Sequence, residues 1–271
     1  MDRRQAWEAQ GFWLEKALIS PAEVEEIRTH FMAWNDERRS AVADGIDPSS
    51  SDPLARYPRV MHPHRVDDLS KRFLLDERIR DVLVNLLGEE PLAAQTMVYF
   101  KPPQARGQAL HQDQAYLRVS PGTCVAAWIA LDPCDEENGC MEVVPGSHKL
   151  PLLCPVEADL SKSFVNTTLE LPPGYKAVPA IMEPGDVLFF HGNLIHGSGP
   201  NESLTRFRRA HIAHYITAEA KEVWTGYKPI LRFNGEGVEL NDAEAGGTCG
   251  KVTESGIEMV AGHLTAPNSL H

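Results

Sequence analysis

The sequence predicts a mainly β protein with flanking α-helices, and three observations carry that expectation. Apolar residues recur at helical spacing over roughly the first 90 residues and hardly after them. From about Pro91, short runs rich in Val, Ile, Phe, Tyr and Thr alternate with Pro/Gly turns, the pattern of an all-β sandwich or barrel. No stretch between those runs has the periodicity of the crossover helices that a parallel α/β sheet needs. With 271 residues and 30.0 kDa, the chain reads as a single domain over 1–271. Its helical N-terminal part covers about 1–90, its β core about 91–218 and an irregular, glycine-rich part about 219–271.

Ser20-Pro21-Ala22-Glu23 is a helix start: Ser20 caps, Pro21 suits the first turn, and Glu23 reaches back to close a capping box. Val24, Ile27, Phe31 and Trp34 follow at helical spacing and predict one docked face. Residues 43–58 hold Gly45, three serines and three prolines and read as a loop. Glu77 to Leu87 predicts a second helix, with Ile79, Val82, Leu83 and Leu86 on one face and Gly88 closing it. The expected strands are Ala94–Lys101, Cys124–Leu131, Met141–Val144, Lys176–Ile181, Asp186–His191 and Arg208–Ile216. Turns such as Pro102-Pro103, Asn138-Gly139 and Pro184-Gly185 separate them.

Composition excludes several function classes. Lys+Arg number 26 against 38 Asp+Glu, a net charge of −12, which disfavours nucleic acid and anionic membrane surfaces as partners. No apolar run is long enough to span a bilayer, and the N-terminus lacks the apolar stretch of a secretion signal. The five cysteines are odd in number and irregular in spacing, so neither a disulfide framework nor a zinc knuckle is expected. The expected setting is a reducing, cytoplasmic one.

Eleven histidines raise the question of which are placed together. His111-Gln112-Asp113 follows a Pro/Gly-rich loop. On a strand, residues i and i+2 face one way, so His111 and Asp113 would present an imidazole and a carboxylate to one point. That is two-thirds of a facial 2-His-1-carboxylate iron site, although an isolated HxD is a weak signal. A turn at Pro184-Gly185 launches an apolar strand, and His196 lies just beyond it beside glycines that admit close approach. A metal or a core hydrogen bond would satisfy that histidine. In the run from Arg206 to Tyr215, alternation puts Arg208, Ala210, Ile212 and His214 on one side. An arginine facing a barrel interior needs an anion, and its fork suits a carboxylate. Taken alone, the segment reads more simply as carrying a surface arginine.

Together these segments are specific. The chain from about Gly11 to Tyr215 resembles the phytanoyl-CoA dioxygenase family of non-haem iron, 2-oxoglutarate-dependent oxygenases. The resemblance rests on Gly11-Phe12-Trp13, Leu110-His111-Gln112-Asp113, Ala127-Trp128-Ile129-Ala130-Leu131, Asn138-Gly139-Cys140, Val144-Pro145-Gly146-Ser147-His148-Lys149 and the run from Pro184-Gly185-Asp186 to His196-Gly197-Ser198-Gly199-Pro200-Asn201. It implies a double-stranded β-helix, a cupin-like jelly roll, with helices outside one sheet. It also implies Fe(II), 2-oxoglutarate and O2, with release of succinate and CO2. By the same resemblance His111, Asp113 and His196 hold the iron, and Arg208, with Arg206 a nearby competitor, holds the far carboxylate of 2-oxoglutarate. Gln112, Trp128 and Ser198 match positions that line or contact the co-substrate; Tyr99 falls on a pocket strand, and Arg59 near a basic position that reaches it. The His-Gly-Ser-Gly context favours His196 over His191 as ligand, and alternation turns His214 to the same side as Arg208. Related halogenases lack the carboxylate, so Asp113 points to hydroxylation or another oxidation begun by C–H abstraction.

The substrate is expected to be a small organic molecule, because an acyl-CoA would want a basic groove. Its contacts are expected from residues 43–64, Tyr116, Arg118 and the region of Trp224. Two other classes would keep the fold. A jelly-roll binding protein without turnover leaves the intact triad unexplained. A metal cupin enzyme that does not use 2-oxoglutarate leaves Arg208 unexplained.

Overall fold

The computed structural model describes residues 2–40 and 46–261. Two antiparallel sheets face each other as a jelly roll, with the helices packed on the outside of the larger one. The larger sheet runs in the order Phe12–Glu15, Val187–His191, Cys124–Ala130, Ala210–Ile216, Leu92–Tyr99, Ile230–Leu231, Gly237–Val238, with Val60–Met61 also pairing Leu92–Tyr99. The smaller sheet is Gln108–His111, His196–Ser198, Met141–Val143, Val178–Ala180.

Strand alternation divides the core in two. Val125, Ala127, Ile129, Val187, Phe189, Ala213 and Tyr215 face the helices, where they meet Val24, Ile27, Phe31, Ile79 and Leu83. Ala126, Trp128, Leu188, Phe190, Ala210 and Ile212 face the other sheet and meet Met141 and Val143. The two expected helices form as Pro21–Ser40 and Glu77–Leu87. Ser20 and Glu23 make the reciprocal capping bonds, Glu23 N donating to Ser20 Oγ at 3.4 Å and Ser20 N to Glu23 Oε2 at 3.0 Å. Gly88 ends the second helix in the left-handed conformation.

Three expectations need correction. The N-terminal part is not purely helical, since Phe12–Glu15 pairs in register with Val187–His191 and extends the sheet. The C-terminal part is more regular than its glycines suggest: Cys249–Thr253 and Gly256–Val260 form an antiparallel hairpin. A disulfide joins Cys154 to Cys249 across 95 residues, while Cys124, Cys134 and Cys140 are free and buried. Of the loop expected at 43–58, residues 43–45 lie outside the described residues; beyond them Pro53–Arg56 is a short helix capped by Asp52. No helix among the described residues is long and apolar enough to cross a membrane.

Candidate active site

His196 and His111 are directly paired across the smaller sheet, which brings their rings to 4.2 Å between centroids. Asp113 Oδ1 lies 3.5 Å from His111 Nε2 and 3.6 Å from His196 Nε2. Ligand atoms of all three lie within 4.8 Å of one another, and all three side chains are buried or nearly so. These gaps exceed hydrogen-bond length; they are the spans of donors turned toward a common centre. Each imidazole is oriented by its own chain: His111 Nδ1 is 2.9 Å from Ala109 O, and His196 Nδ1 is 2.9 Å from Leu194 O. A proton on Nδ1 donates to that carbonyl and leaves Nε2 as the basic nitrogen facing the carboxylate. Burial, and then His196, push His111 down to about 3, so the ring is neutral. Burial works to raise the Asp113 carboxyl, but the facing His196 and His214 imidazoles prevail and hold it below the ordinary range. Two imidazoles and a carboxylate suit a borderline divalent ion such as Fe(II), so the donor set fits the metal implied by the sequence.

The route by which Asp113 arrives differs from the strand argument. The strand stops at His111, and Asp113 has helical backbone angles at the start of the short helix Gln114–Leu117. Its other oxygen, Oδ2, lies 2.9 Å from His214 Nε2, so the histidine two positions beyond Ile212 braces the carboxylate. Gln112 lies between the two ligands and points the other way. It donates to Asn193 O at 2.9 Å and Pro151 O at 3.2 Å, and accepts from Leu153 N at 2.8 Å. Its amide holds the neighbouring loop.

The triad opens into a pocket lined by Trp128, Tyr99, Ser198 and Arg208 at one end. Arg208 is 3% exposed, donates from Nε to Gly139 O at 3.1 Å and has Cζ 5.1 Å from the centre of the Trp128 ring. Its terminal nitrogens make no hydrogen bond among the described residues. Gly139 is needed there: its φ is +71°, and an added Cβ would meet Gly199 O at 2.5 Å. Arg206 is elsewhere, bound at the surface to Asp135 at 2.7 Å and Glu137 at 2.5 Å.

Lys101 joins the site although no sequence motif marks it. It is 3% exposed, and its ammonium donates to Ser198 Oγ at 2.8 Å, to Gly139 O at 3.0 Å and to Gly199 O. Burial first, and the nearby Arg208 second, push it well below the ordinary amine range. Ser198 Oγ accepts from Lys101 and from Gln108 N at 3.4 Å, which leaves its hydroxyl proton free to donate. A second cleft shares Tyr99, Ser198 and Arg208 with the pocket and is lined by Arg59, Lys101 and Arg106. Arg59 donates to Tyr99 Oη at 3.1 Å and lies over the Phe164 ring at 4.9 Å, so it belongs to this cleft and not to the pocket itself. Tyr116 lines the pocket. Arg118 instead donates to Glu244 O at 3.0 Å and Gly246 O at 2.8 Å outside it. Tyr227, three residues after Trp224, lines it too.

Residues 7–210 match the sequence pattern described as phytanoyl-CoA dioxygenase. Peroxisomal phytanoyl-CoA dioxygenase of Bos taurus is 31% identical over 233 residues, covering 80% of this chain and 68% of the relative. The fold is like that of the epimerase SnoN in complex with Fe3+, alpha ketoglutarate and nogalamycin RO, at 21% identity and a TM-score of 0.62, over 90% of this chain and 94% of that one. It is also like EctD from S. alaskensis with 2-oxoglutarate and 5-hydroxyectoine, at 22% identity and a TM-score of 0.63, over 82% and 78%.

Proposed function

The chain belongs to the phytanoyl-CoA dioxygenase family, and on that premise we propose that it hydroxylates, or otherwise oxidises by C–H abstraction, a small organic metabolite. It is a 2-oxoglutarate-dependent oxygenase that uses iron and O2. The observation that carries the residue assignment is the convergence of His111, Asp113 and His196 within 4.8 Å. In this reading His111 Nε2, Asp113 and His196 Nε2 hold Fe(II), and His214 keeps the Asp113 carboxylate turned toward it. Arg208 receives the far carboxylate of 2-oxoglutarate, the Ser198 hydroxyl donates to it, and Trp128 covers it. Gly139 O fixes the guanidinium so that its terminal N–H groups stay aimed into the pocket. Arg59 and Arg106 give the doubly negative keto acid a cationic approach through the second cleft. When bound, the metal and keto acid supply the oxygen-activating chemistry, with CO2 and succinate as products. The apolar lining, including Met97, Ile212 and Phe190, keeps bulk water from the reacting centre.

Anaerobic addition of Fe(II) and 2-oxoglutarate is expected to give a weak visible charge-transfer band. A binding protein without turnover, or a cupin enzyme that does not use 2-oxoglutarate, would give none. Asp113→Ala is expected to abolish substrate-coupled succinate release at saturating iron, and full turnover by that variant would overturn the assignment. Away from Asp113 and Arg208 the pocket lining carries no charged side chain, which supports a metabolite over an acyl-CoA, the class named by several relatives.

A further inference from the structure

The pocket has two unlike ends. Tyr99, Ser198 and Arg208 form one. The other lies where Gln95 pairs in register with His214, the histidine that braces Asp113. Gln95 and Tyr99 share the inner face of one strand, about 13 Å apart along it. Gln95 is 1% exposed and lines the pocket, yet neither its amide nitrogen nor its amide oxygen has a hydrogen-bond partner. A buried carboxamide offers two N–H donors and an acceptor oxygen, and leaving all of them unpaired is costly. Tyr227 closes this end, and behind it His62 has both ring nitrogens buried and unpartnered. Among the described residues, the only charged groups lining the pocket are Asp113 and Arg208. The proposed reading commits the first to the metal and the second to the co-substrate.

We infer that this second end is a substrate subsite in which the Gln95 carboxamide reads an uncharged group able both to donate and to accept a hydrogen bond, such as a hydroxyl or a carboxamide. The inference rests on the oxygenase reading and adds to it the class of substrate. A carboxylate or an ammonium entering here would be desolvated with no counter-charge to meet it. A purely apolar group would leave the Gln95 amide unpaired. Gln95 is thus a specificity residue: it touches the substrate, while the iron is left to the triad and the 2-oxoglutarate tail to the Arg208 end.

The test uses the protein loaded anaerobically with Fe(II) and 2-oxoglutarate. Four matched probes are titrated: cyclohexanol, cyclohexanecarboxamide, cyclohexanecarboxylate and cyclohexylammonium. Their proton signals are followed by NMR for line broadening by the paramagnetic iron. Cyclohexanol and cyclohexanecarboxamide are expected to be broadened, and the two ions to bind about tenfold more weakly or not at all. Gln95→Leu is expected to weaken the two neutral probes about tenfold while the charge-transfer band persists. Equal affinity for neutral and charged probes, or unchanged affinity in Gln95→Leu, overturns the subsite. Failure of every neutral probe to bind also overturns it, because water alone then satisfies Gln95. The wild-type preference is read without any variant, so a poorly folded Gln95→Leu does not remove the test. If the wild-type protein shows no charge-transfer band, the oxygenase reading itself falls; a band without neutral-probe binding defeats the subsite alone.

Discussion

Replacing Arg208 and Arg206 separately by methionine tests which arginine anchors the co-substrate. Arg208 is nearly fully desolvated, at 3% exposure, with Nε held by Gly139 O at 3.1 Å and its face against Trp128. Removing one member of a buried, hydrogen-bonded charge pair costs about 2–5 kcal/mol, much of it the cost of the other charge left alone. At about 1.4 kcal/mol per decade, Arg208→Met should weaken 2-oxoglutarate by at least about 30-fold. Arg206 sits at the surface with Asp135 and Glu137, and pairs of that kind contribute roughly 0–1 kcal/mol to stability. Arg206→Met should therefore leave 2-oxoglutarate affinity within about threefold of the parent. Anaerobic titration of the Fe(II)-loaded proteins, read by calorimetry, supplies both numbers. Near-parental affinity in Arg208→Met, or a large loss in Arg206→Met, would refute the assignment.

Lys101→Met removes the donor that fixes the Ser198 oxygen, and should weaken 2-oxoglutarate by about 1 kcal/mol, several-fold. The same loss should be shared with Ser198→Ala, so the double variant should show little more than either single one; fully additive losses would dissolve the link. Acid should destabilise the fold early. Burial pushes His62, His64 and His191 down to about 4 and His211 to about 3 from an ordinary 6.5, so each binds its proton more readily when unfolded. Stability is then complete above 6.5 and falls as pH drops from there toward 4, by up to about 1.4 kcal/mol per pH unit for each ring. A urea midpoint that stays level between about pH 7 and pH 5 would contradict this.

The β core was legible because its strands carry two-sided apolar alternation: Val125 to Ile129 and Val187 to Phe190 declare both faces of a buried sheet. Phe12–Glu15 was not, being a short strand at the sheet's edge with partners nearly 180 residues away in sequence. His111, Asp113 and His196 converge as expected, although the period-two argument holds for only one of the steps: the chain turns into a helix at Asp113 and still delivers the carboxylate. The same turn explains why Gln112 faces away. Arg206 and Arg208 could not be separated from sequence, since the path between His196 and the following strand is set by contacts such as Asn201 with Arg206 O at 2.7 Å. Lys101 reads as the last residue of the expected strand Ala94–Lys101, beside two prolines, and nothing in its type or spacing marks it as buried. Cys154 and Cys249 carry no spacing signal, because their meeting depends on where the C-terminal hairpin that carries Cys249 packs.

Arg208 and His214 belong to one stretch of chain, and the strand that begins at Ala210 is laddered on both sides, to Leu92–Tyr99 and to Cys124–Ala130. Neither end can slide without shearing two sets of backbone bonds. Under the proposed reading, that makes the strand a ruler. The interval between the guanidinium and the Asp113 carboxylate is set by the strand's fixed spacing and the single hydrogen bond from His214, and a keto diacid one methylene shorter or longer, oxaloacetate or 2-oxoadipate, would place its tail carboxylate short of the fork or past it.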